Sequence, residues 1–187
     1  SKSEIIKMHK FADDTSLITA GENYDQLKDE LDNIEAWAKD NNLQLNKTQS
    51  YEIIFSKRRC KPKNPPPEPT LGIKRVNSLK LLGITLQCNL SMEEHVNNVL
   101  SGCASNLHAL NTLRAHGLQG EELEEIYRAK ILSKIMYGSP AWWGYCSVDT
   151  CNRINSFLKK GKKFGVYGKD ADLFEPLCRV ADDKLFN

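Results

Sequence analysis

The chain has 187 residues, 40% of them hydrophobic and 27% charged, which allows a buried core in one domain or two small ones and excludes a disordered polypeptide. Its 26 basic residues stand against 24 acidic ones, a net charge of +2, so the molecule as a whole is no polycation and any basic surface must be local. No apolar run approaches the roughly 20 residues of a membrane span, and the start SKSEIIKMHK lacks a signal-peptide pattern, so an intracellular protein, nuclear or cytoplasmic, with no membrane partner is expected.

In chain order, Ile5 to Ala12 and Thr15 to Ala20 read as two short strands with Asp13 and Asp14 at the turn. Ile5, Ile6, Met8, Phe11, Leu17 and Ile18 suit a half-buried hairpin. Then the apolar period changes. Tyr24, Leu27, Leu31, Ile34, Trp37 and Ala38 recur at three and four residues, which predicts an amphipathic helix. Asn23 is its expected N-cap, Gln26 completes a capping box, and Asn41-Asn42 can end it in the left-handed conformation. Leu43 to Phe55 returns to strand character. Residues 57–70 are rich in proline and lysine; proline has no amide donor, so a solvated basic loop is expected there. LKLLGITL (79–86) reads as one more strand, with Gly83 marking a bulge or a close backbone approach.

After Ser91 the pattern is helical. Val96, Val99, Leu100, Cys103, Leu107 and Leu110 form one stripe. Leu123, Ile126, Tyr127, Ile131, Ile135 and Met136 form a second, after a break at Gly117 and Gly120. Pro140 breaks that helix within GSPAWWGYC, and a third, weaker helix covers about 148–164. The six cysteines are scattered without a CxxC pair, which favours reduced thiols over a metal half-site at Cys146 and Cys151. His95, His108 and His116 fall on helices or at their ends and receive no catalytic role.

Asp13 and Asp14 have two readings. Adjacent aspartates are good turn chemistry, because aspartate tolerates unusual backbone angles and caps its own turn. Yet Phe11 and Ala12 lead directly into them, and a carboxylate drawn toward apolar surroundings needs compensation. A hard divalent cation supplies it: Mg²⁺ takes oxygen ligands, typically one or two carboxylates with substrate phosphates and waters. Asp13 would be the direct ligand and Asp14 a second or outer one.

FADD followed by TSLI (11–18) resembles the metal-binding hairpin of reverse transcriptases of LINE-like, non-LTR retrotransposons. The segments that follow resemble that family in order: WAKDNNLQLN and SYEIIFSK its next palm motif, LKLLGITL its primer grip, and AKILSKIMYGSPAWWG a thumb helix with a Tyr-Gly-x-x-x-Trp signature. The match covers about residues 5–150; the last forty are less distinctive. It implies an α+β fold: a partial palm of antiparallel strands with a packed helix over 1–90, an all-helical thumb over 91–165, and a less defined segment over 166–187. It implies RNA-directed DNA synthesis by two-metal phosphoryl transfer. Mg²⁺, or Mn²⁺ in its place, would be held by Asp13 and Asp14. The primer end would lie along Phe11, Ala12, Leu82, Gly83 and Ile84. The partners would be an RNA template, a DNA primer and, in the intact enzyme, deoxynucleoside triphosphates.

The chain departs from the family in two places. The family completes its metal site with an aspartate on a strand upstream of FADD. This chain begins about ten residues before FADD, so that strand, the fingers and the rest of the palm are expected to be missing and the chain is expected not to polymerise alone. Gln49 stands where the family has a lysine that protonates the leaving pyrophosphate; glutamine is a far poorer donor, and Lys47 is the substitute in a shifted register.

Two basic clusters, Lys57, Arg58, Arg59, Lys61 and Lys63, and Lys159, Lys160, Lys162 and Lys163 beside Phe164 and Tyr167, would bind phosphates, unless they are merely solvated faces. Trp142 and Trp143 could stack on bases, though packing between helices is favoured. Two rival readings stand beside the polymerase: a non-catalytic nucleic-acid-binding remnant of a mobile element, and an unrelated α+β interaction domain whose Asp-Asp is only a turn.

Overall fold

In a computed structural model of the chain, residues 6–56, 68–69, 72–118 and 120–186 are described, and they form a mixed α+β structure with small sheets. Two compact units divide them: one from the described residues of Ser1–Glu52 and Pro62–Val76, the other from those of Ile53–Lys61 and Asn77–Asn187.

The first unit opens with β1 (Lys7–Phe11) and β2 (Asp14–Ile18), an antiparallel hairpin in register from Lys7 against Ile18 to Phe11 against Asp14. Met8 and Leu17 pair on its half-buried face, but Phe11 and Ile18 are exposed, so only part of the expected apolar face is covered. A short 3-10 turn (Gly21–Asn23) leads into α1 (Tyr24–Asp40). Asn23 occupies the N-cap position without a side-chain bond; its amide is already used on Ala20, so the expected capping box does not form. The C-terminus follows expectation. Asn42 takes φ 55° and the Asn41 side chain donates to the Trp37 carbonyl.

The strand expected over Leu43 to Phe55 shrinks to β3 (Tyr51–Glu52), paired in parallel with β4 (Lys74–Arg75). Asn46 accounts for the loss. Its carboxamide oxygen accepts from the Gln49 amide and the Thr48 hydroxyl, its nitrogen donates to Gln49, and its carbonyl accepts from Ser50, which wraps the chain into a 3-10 turn. Arg75 closes on Glu52 at 2.5 Å.

In the second unit, β5 (Ser78–Leu81) and β6 (Ile84–Gln87) form an antiparallel hairpin where one continuous strand was expected. Leu82 and Gly83 both take positive φ, 46° and 87°, the signs of a type I′ turn, and reverse the chain in two residues. Among the described residues each ladder has only two strands, and none joins another into the single sheet of a palm.

α2 (Glu93–Ala115) buries Val96, Cys103, Leu107 and Leu110, the expected stripe. The second stripe spans α3 (Glu121–Tyr127), a π-helical stretch (Arg128–Leu132) and α4 (Ser133–Met136). Its apolar residues Leu123, Tyr127, Ile131 and Ile135 are four apart, whereas an α-helical turn takes about 3.6. The wider i→i+5 turn absorbs the drift and keeps all four buried. Gly138 at φ 59° ends that run, and Pro140 then starts the short α5 (Ser139–Trp142) rather than only breaking a helix. α6 (Val148–Lys163) is capped by the Ser147 hydroxyl on the Thr150 amide, close to the predicted bounds. α7 (Phe174–Phe186) corrects the undefined C-terminal segment: Phe174 and Cys178 are fully buried against α5 and α6.

Candidate functional site: an acidic turn and a braced hairpin

The β1–β2 turn consists of Ala12, at φ 51°, and Asp13; Asp14 is the first residue of β2, opposite Phe11. The acids therefore do not share the turn as the sequence suggested. Asp13 stands at the tip and Asp14 on the strand beside it, both open to solvent, as are Ala12 and the 66% exposed Phe11. The apolar surroundings expected to press on these carboxylates are absent from this hairpin. Two neighbouring carboxylates offer a hard cation enough for one mainly hydrated ion, with phosphate oxygens filling its shell. They do not fit a pair of ions. Among the described residues no group of three or more His, Cys, Asp or Glu side chains is placed to hold a metal.

The second candidate belongs to the helical unit. The Tyr137 hydroxyl donates to the Leu82 carbonyl at 3.2 Å, and a Cβ added to Gly83 would sit 3.0 Å from the Tyr137 ring. Immediately after it, a Cβ on Gly138 would come within 3.1 Å of Ile84 Cδ1. Two segments 55 residues apart thus meet face to face, each at a residue without a side chain. The contact holds Leu82 in a left-handed conformation that costs a non-glycine residue about 1–2 kcal/mol. Leu82 and Tyr137 stay about half exposed, at 46% and 59%, and form an apolar tip. Comparison with protein-family models, with curated proteins and with solved structures finds no match. The functional reading therefore stands on this geometry and on the motifs. Sequence motifs alone give Tyr137 no role of its own; the signal for this contact is the pair of Leu-Gly and Tyr-Gly steps, each allowing close backbone approach.

The remaining predicted residues separate by what they touch. Lys57, Arg58, Arg59, Lys61 and Lys63 lie outside the described residues. Lys47 is ion-paired with Glu35 at 2.6 Å, and Gln49 is held by Asn46. Lys162 donates to the carbonyls of Lys169 and Ala171 and lies 5.8 Å over the Tyr167 ring, so it holds the turn after α6. Lys159, Lys160 and Lys163 are exposed.

Trp142 is buried, donates to the Tyr137 carbonyl and stacks on Phe174 at 5.6 Å, while Trp143 donates to Asp182; both pack between helices. His95 is buried edge-on to Trp142, its Nδ1 accepting from the Thr85 amide, which ties α2 to β6. Burial pushes the Cys146 and Cys178 thiols up to about 12, so both stay protonated and act as small apolar groups.

Proposed function

We propose that this chain is part of an RNA-directed DNA polymerase of a LINE-like retrotransposon, with a palm-like acidic hairpin, a primer-grip turn and a helical thumb. The observation that carries the reading is the contact of Tyr137–Gly138 with Leu82–Ile84: segments that separately resemble the thumb signature and the primer grip of one family are packed on each other. An exposed carboxylate pair on a tight hairpin adds to it. In this reading Asp13 holds one Mg²⁺ or Mn²⁺ directly with Asp14 beside it, and a bound ion would supply positive charge against phosphate oxygens. Leu82, Gly83 and Ile84 support the end of a primer, with Phe11 and Ala12 flanking the acids. The RNA template, the DNA primer and the deoxynucleoside triphosphates are the partners of the complete enzyme.

Primer extension with Mg²⁺ tests the activity. The 187-residue chain is expected to add no nucleotide, since a single hairpin lacks the ligands for a second ion; incorporation above background would refute that. Metal binding is tested apart from activity. Mn²⁺ is expected to broaden the amide resonances of residues 11–15, and Asp13→Asn is expected to abolish this while Asp14→Asn weakens it. No broadening in the unaltered chain would leave the pair as turn chemistry alone. The exposure of both acids and the lack of a third ligand among the described residues also favour a second reading, a non-catalytic nucleic-acid-binding remnant. That reading predicts template–primer binding indifferent to divalent cations.

A further inference from the structure

Away from the hairpins, α2 and α6 leave a groove of about 380 Å³, lined by Ala104, Leu107, His108 and Asn111 on one side and by Phe157, Lys160, Lys163 and Phe164 on the other. Its position follows from helical spacing. Residues 104, 107, 108 and 111 share one face of α2, and 157, 160 and 164 one face of α6. The floor is apolar, with two half-buried phenylalanines, and the α6 wall carries two ammonium groups. No lining residue is acidic, and among the described residues no carboxylate pairs with Lys160 or Lys163. Lysines in a last helical turn are favoured by the helix dipole whatever else they do. That preference does not explain why this pair lines the groove with Phe157 and Phe164 while Lys162, between them in sequence, turns away to backbone carbonyls.

We infer that this groove seats an unstacked base of single-stranded nucleic acid, RNA or DNA, with the flanking phosphates on Lys160 and Lys163. Stacking on aromatic side chains between cations is how single strands are held without sequence preference. Asn111 at the wall offers both a donor and an acceptor to a base edge. The inference rests on the nucleic-acid reading above and deepens it: of Lys159, Lys160, Lys162 and Lys163, expected from the sequence to bind phosphates, it selects the two that line this groove.

The experiment is fluorescence anisotropy of the whole chain with labelled oligothymidylate and oligouridylate across a salt series. The double variant Lys160→Gln/Lys163→Gln is expected to weaken binding at least about tenfold and to reduce the slope of log affinity against log salt by about 1.4, as two lost phosphate contacts require. Phe164→Ala is expected to weaken binding about tenfold without altering the slope. Lys184→Gln, which changes an exposed lysine on α7 that does not line the groove, is expected to stay within about twofold of the unaltered chain. Should Phe164→Ala misfold, the lysine pair, both exposed, carries the test alone. Unchanged affinity and slope in the double variant would overturn the groove while leaving Mn²⁺ binding at Asp13 and template–primer binding intact. An acidic, phenylalanine-containing peptide that binds more tightly than either oligonucleotide, and is lost in the same variants, would reassign the groove to a protein partner. An unaltered chain that binds no nucleic acid would remove both this inference and the polymerase reading.

Discussion

Gly161 shows how tightly single positions are constrained in the helical unit. Its missing side chain admits the Tyr127 ring, which would lie 2.8–2.9 Å from an added Cβ, and Tyr127 in turn stacks on Tyr167 at 4.9 Å. Tyr127 is wholly buried, its hydroxyl has no hydrogen-bond partner among the described residues, and burial pushes its phenol far up, so the ring stays neutral. Gly161→Ala is therefore expected to lower unfolding free energy by about 1–3 kcal/mol, as overpacking does, despite alanine's better helix propensity. Urea denaturation measures it; a variant as stable as the parent would mean the ring can shift. At Asp13 and Asp14 the sequence placed the acids in a reversal correctly but not which of them makes the turn, because two-residue hairpin loops are set by strand register.

At the scale of elements, two contacts fix the β5–β6 hairpin, and each gives a prediction. The first is the Tyr137 brace. Tyr137→Phe keeps the ring but removes the bond to Leu82, and is expected to cost about 0.5–1.5 kcal/mol. Gly83→Ala adds strain at φ 87° to a clash with the same ring and should cost more than Tyr137→Phe. Thermal melts of both variants rank them, and the reverse order would show that the brace matters more than the turn. The second contact is His95 on the Thr85 amide. Burial, aided by Lys80, holds the His95 pKa below its ordinary value of about 6.5. The unfolded chain then binds a proton that the folded one refuses, so stability is full above about pH 6.5 and falls as pH drops toward the folded pKa. His95→Gln is expected to flatten that acid-side slope; an unchanged slope in urea titrations between about pH 5 and 7 would exclude His95 as its source. Hairpin geometry here was half legible. Gly83 announced a backbone event, but periodicity cannot separate one eight-residue strand from two four-residue strands when the reversal uses a leucine.

Over the whole molecule, burial is uneven. The helical unit holds a continuous core from Met92 to Cys178. The described part of the first unit buries only Ile6, Glu30, and Ala38 below a tenth of their surface, and Trp37 on α1 remains 53% exposed under a Lys10 ammonium 5.0 Å from its ring. Hydrophobic burial scales with area removed from water, so the two units should open with different free energies. Hydrogen exchange is expected to be markedly faster for α1 amides than for α2 and α6 amides. Equal protection would mean that the chain unfolds as one cooperative body.

By itself the sequence determined the helical stripes of α2 and of the α3–α4 run, the α1 and α6 spans, and the packing role of Trp142; among the described residues no helix is long and apolar enough to cross a membrane. All of these follow from local periodicity and side-chain chemistry, which are read within a few turns of chain. Only the tertiary structure decided that Tyr137 braces Leu82, that Lys162 turns from its neighbours to backbone carbonyls, that α7 completes the core, and that a cationic groove opens between α2 and α6. Those outcomes depend on partners brought together from elsewhere in the chain. Spacing along a single helix or strand carries no information about which of them will meet.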